Sequence, residues 1–156
     1  MSCDVAVSAA LFFASLHPGQ SPAVRLEPAV ATVASSANPL TREPLFADIV
    51  KKAGGLEKEA TAYRKQTGRL AKFDVFKTRI AELSGLDMKG HLELAARGTD
   101  GDLKCILKGI SQDLPKKLDE IATATDPKAR DLALSEMAYL LNDNVEVITA
   151  PPAPPV

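Results

Sequence analysis

The chain has 156 residues, 46% of them apolar, 25% charged and only 4% aromatic, with no Trp and a formal net charge of −1. That length suits one domain with a real core, and an interior rich in alanine and leucine suits helix-on-helix packing better than a sheet sandwich. Near neutrality excludes nucleic acid or an anionic membrane as a partner held by bulk charge.

Val5 to Leu16 (VAVSAALFFASL) is an apolar run of twelve residues, too short to span a bilayer but the right size for a signal-peptide core. Asp4 precedes it and no Lys or Arg occurs before Arg25. Both a cleaved targeting signal and an apolar docking arm therefore stay open. The prolines then partition the chain: nine of eleven lie at or before Pro44, or at or after Pro151. Residues 1–43 read as an extended or targeting-derived arm, 44–148 as the folded domain, and 149–156 as a polyproline II tail.

Within the domain, Thr41 is a candidate cap for a short helix carrying Leu45, Phe46, Ile49 and Val50, which Gly54-Gly55 would end. A long helix is expected next, with Leu56, Ala60, Tyr63, Leu70, Phe73, Phe76, Ile80 and Leu83 on one stripe. Gly68 weakens its middle and Ser84-Gly85 would stop it. A shorter element covers Leu86 to Ala96, and Gly98-Thr99-Asp100-Gly101 turns the chain with Asp100 as an N-cap.

Leu103, Ile106, Leu107, Ile110 and Leu114 define the next helix, which Pro115 would kink or restart before Leu118, Ile121 and Ala122. Asp126-Pro127 is a strong start signal: a capping carboxylate, then proline at the first helical position. Leu132, Ala133, Met137, Leu140 and Leu141 follow, Asn142-Asp143-Asn144 would close that helix, and Val145 to Ile148 reads as extended. The expected fold is all-α: an antiparallel four-helix bundle with a short preceding helix and extended proline-rich tails.

Catalytic chemistry finds little support. His91 with Met88 three residues before it could ligate haem iron or copper in a bundle core, but the domain has no second histidine and no CxxCH. Asp100-Gly101-Asp102 lacks the other ligands of a calcium loop, and Gly54-Gly55 lacks the Lys-Ser/Thr of a phosphate loop. Cys3 and Cys105 make neither a disulfide framework nor a zinc site, and nothing in their spacing argues for a mutual bond. Cys105 falls opposite the apolar arc of its helix with Gly109 four residues on, a small-residue pair that reads as a contact face, an accessible thiol, or a close approach by a neighbouring helix.

Charge is distributed unevenly. Lys51 to Arg79 holds nine basic residues against Glu57, Glu59 and Asp74, whereas Ile80 to Thr149 holds eight basic against thirteen acidic. Either these surfaces complement each other within the bundle, or a basic helix centred on Arg64, Lys65, Arg69 and Lys72 docks an acidic partner.

The stretch LKGISQDLPKKLDEIATATDPKARDLALSEMAYLLNDNVEV pairs a leucine/isoleucine helix with a short polar turn containing proline and a helix ending near Leu140-Leu141-Asn142. In that layout, and in its proline-rich arm ahead of a bundle, the chain resembles the PsbQ-type extrinsic subunits of photosystem II. The resemblance implies no cofactor and a peripheral subunit in the thylakoid lumen that stabilises a membrane complex. Without it the compartment reads as cytoplasmic or exported. The leading expectation is a non-catalytic accessory subunit held in a larger protein assembly, with no nucleic acid partner, no transmembrane span and no evident small-molecule substrate. The alternatives are a small metal- or haem-binding bundle and a soluble adaptor or chaperone with a proline-rich docking tail.

Overall fold

A computed structural model of the chain describes residues 38–98 and 101–150, and the readings made for the N-terminal arm, the Asp100 cap and the final proline tail lie outside them. A 3-10 turn at Pro39–Arg42 leads into four helices: α1 Pro44–Tyr63, α2 Phe73–Arg97, α3 Gly101–Thr123 and α4 Pro127–Thr149. No strand occurs among the described residues. The fold is the expected all-α four-helix bundle. Each of α1 and α3 packs on both α2 and α4, so α2 and α4 face each other across the diagonal.

The helix boundaries differ from the sequence expectation in an instructive way. Gly54-Gly55 and Ser84-Gly85 sit inside α1 and α2 and stop neither helix. Ile49, Ala53, Leu56 and Ala60 keep a four–three–four stripe through the first pair, all fully buried. Burial of that stripe outweighs the roughly 1 kcal/mol that each helical glycine costs relative to alanine. The chain instead reverses between Tyr63 and Phe73, where Gly68 takes a left-handed φ of 78°. A gap of six residues without an apolar side chain, between Tyr63 and Leu70, marks that break. Thr41 is not a helix cap; it lies inside the 3-10 turn, which Asn38 caps by accepting from the Leu40 amide at 3.2 Å.

Pro115 neither kinks nor restarts its helix, since α3 is continuous from Gly101 to Thr123. A proline cannot donate to the carbonyl four residues back, which here belongs to Ser111. Ser84 of α2 supplies the missing donor, its Oγ reaching the Ser111 carbonyl at 2.7 Å. α4 also runs past Asn142-Asp143-Asn144 and through Val145 to Ile148, so the extended segment expected there is helical. Asp126 does cap α4, accepting from the Ala129 amide at 3.0 Å, with Pro127 at the first helical position.

Two polar residues occupy inward positions of α2 and α4, and one of them, Asn144, belongs to the run that reads from sequence as a helix end. Phe76, Ile80, Leu83, Asp87, Gly90 and Leu94 form the inward stripe of α2, and Met137, Leu141, Asn144 and Ile148 that of α4. Asp87 and Asn144 therefore hold core positions, and both are fully buried. The Asn144 amide donates from Nδ2 to Asp87 Oδ2 at 2.9 Å, tying α2 to α4.

Candidate functional site

The α1–α2 connection and the α3–α4 turn meet at one end of the bundle. An aromatic cluster anchors the connection: Tyr63 lies edge-on to Phe76 at 5.3 Å and to Phe73 at 6.2 Å, while Phe73 and Phe76 stack at 6.1 Å. The Tyr63 hydroxyl lies 2.8 Å from the Ala71 carbonyl and 3.1 Å from Glu59 Oε1. Burial, reinforced by the Glu59 charge, pushes that phenol up to about 12. Gln66 Oε1 accepts from the Ala71 amide at 3.1 Å, and Arg130 of α4 donates to the Gly68 carbonyl at 2.6 Å. The loop is thus pinned at Gly68 and at Ala71 rather than left to its own propensity.

The four basic residues read from sequence as one helix face are in this connection, not on a helix. Arg64 closes α1, and Lys65, Arg69 and Lys72 follow it, all exposed. Arg64 grips Asp131 of α4 through a two-pronged contact, Nε to Oδ1 at 2.8 Å and a terminal guanidinium nitrogen to Oδ2 at 3.2 Å. That bond raises the Arg64 pKa and holds the Asp131 carboxyl below its ordinary value. Arg64 is therefore a clamp between α1 and α4. Lys65, Arg69 and Lys72 form no ion pair among the described residues.

Arg69, Lys72 and Arg130 surround a pocket of about 510 Å³ lined on its apolar side by Leu70, Phe73 and Ile121. Its single carboxylate is Asp74, which Lys77 binds at 2.6 Å. That bond, with a smaller contribution from the Arg69 charge, holds Asp74 below the usual carboxylate range. Lys72 stands in left-handed backbone at φ 56° and ψ 27°, where a residue with a β-carbon costs on the order of 1 kcal/mol. The chain places a lysine where a glycine would be more comfortable, at the rim of this pocket. Arg130 was missed from sequence because it lies on another helix, far beyond the basic segment that ends at Arg79.

The other candidates do not join this end. Cys105 and Gly109 are half-buried in the first turns of α3, and Cys105 is some 24 Å along that helix from Ile121 at 1.5 Å per residue. Cys105 is not a free thiol, so the accessible-thiol reading does not hold. Space around Gly109 is open, with nothing within 4 Å of where a β-carbon would stand. The His91 Nδ1 lies 2.6 Å from the Lys104 carbonyl, so its proton is committed between α2 and α3. Among the described residues no three His, Cys, Asp or Glu side chains gather as metal ligands, and no helix is long and apolar enough to cross a membrane. No family model, curated protein or solved structure matches the chain.

Proposed function

We propose that this protein is a non-catalytic accessory subunit that docks an acidic segment of a partner protein through the basic end of its bundle. The observation that supports it is the pocket of Arg69, Lys72 and Arg130, whose one carboxylate is already taken by Lys77. Cations that form no ion pair among the described residues, set around an apolar floor, fit a peptide that carries carboxylates beside an apolar side chain. The strained Lys72 backbone adds weight, because strain of this kind tends to persist where function requires the side chain. The sequence resemblance to PsbQ-type extrinsic subunits extends this proposal to a peripheral subunit of a photosynthetic membrane complex.

Purification of the full chain from its native source, compared with the Arg69→Glu/Lys72→Glu double variant, tests the reading. A partner retained by the natural chain, released at high salt and lost from the variant is the expected outcome. Equal retention by both, or a natural chain that runs as a partner-free monomer, would contradict it.

A further inference from the structure

Asp87 and Asn144 meet across the bundle diagonal, on helices that otherwise make no backbone approach. Both side chains are fully buried, and each keeps one oxygen without a hydrogen-bond partner among the described residues: Asp87 Oδ1 and Asn144 Oδ1. Both orphans are acceptors while Asp87 is ionised, and two acceptors cannot satisfy each other. A proton on Asp87 Oδ1 changes that, because a carboxylic acid and a primary amide are complementary. The amide N–H donates to one carboxyl oxygen while the acid O–H donates back to the amide carbonyl.

We propose that Asp87 and Asn144 form a proton-operated latch, closed when the Asp87 carboxyl is protonated and bonded twice to Asn144, and weakened when it ionises. The surroundings supply no competing charge. The buried residues of α1, α3 and α4 include one ionisable group, Tyr63, toward the opposite end of α1. On α2 itself His91 is one turn away, half-buried and turned to the Lys104 carbonyl of α3. Burial raises the carboxyl to about 7, and only the Asn144 bond opposes it. Because the folded value lies above the unfolded one, the stabilisation is complete at acid pH and is lost as pH rises through 7.

Thermal unfolding of the full chain between pH 5 and pH 8, beside Asp87→Asn and a His91→Gln control, tests the latch. The natural chain and the His91 control should lose roughly 10 °C of midpoint across that range. Asp87→Asn should lose none, because an amide can donate to Asn144 at every pH. The same fall in Asp87→Asn as in the natural chain would overturn the proposal. If Asp87→Asn fails to fold, the ¹³C resonance of the Asp87 carboxyl in the natural chain decides alone. A midpoint within about one unit of 7 supports the latch, and ordinary titration near pH 4 removes it.

Discussion

The centre of the bundle and its basic end both place charged or polar groups where apolar packing alone would not, but they resolve them in opposite ways. At the centre, Asp87 and Asn144 face only each other, and the carboxyl is pushed toward neutrality by burial. At the end, Lys65, Arg69 and Lys72 stay exposed and form no ion pair among the described residues. A polar group sealed inside concerns the protein's own stability. Cations held outside by a pinned loop concern something that binds. Ser84 belongs with the first kind, since it repairs within the bundle the hydrogen bond that Pro115 removes.

That contrast can be broken by substitution. The largest expected effect is at the centre: Asn144→Leu leaves the buried Asp87 carboxyl without its partner and should cost about 3 kcal/mol by denaturant unfolding. Ser84→Ala should cost about 1–2 kcal/mol by orphaning the Ser111 carbonyl. Much of that cost should vanish in a Pro115→Ala background, where the helix supplies its own donor, so a double-mutant cycle reads the coupling directly. Lys72→Gly should move the other way, stabilising by about 1 kcal/mol as the left-handed strain is relieved, while weakening partner retention. Arg69→Glu should leave the unfolding midpoint within about 0.5 kcal/mol of the natural chain and act on partner binding alone. A large stability loss from Arg69→Glu would erase the distinction between the two regions.

The sequence carried the helical class, the stripe positions and the Asp126-Pro127 start, because three-and-four spacing and capping chemistry are local. It misplaced the helix ends for a reason that is not local. Asn144 looks like a solvent-facing residue until the helix across the diagonal is known, so Asn142-Asp143-Asn144 read as a helix end. Gly54-Gly55 read as a stop because glycine propensity is visible in one segment, while the burial that overrides it comes from α4 and α2. The same limit applies to the site. Arg69 and Lys72 were legible as a run of charge, but Arg130 joins them only through the fold, and Arg64 leaves the group because Asp131 claims it.

Chemical cross-linking of the native assembly through lysine, read by mass spectrometry, bears most directly on the docking reading. If the basic end binds an acidic segment, intermolecular links concentrate at Lys65 and Lys72, lead to a carboxylate-rich stretch of the partner, and disappear with Arg69→Glu/Lys72→Glu at Lys65 as well. Links that arise mainly from lysines elsewhere on the bundle, such as Lys89 or Lys108, or that survive the charge reversal at Lys65, would contradict it.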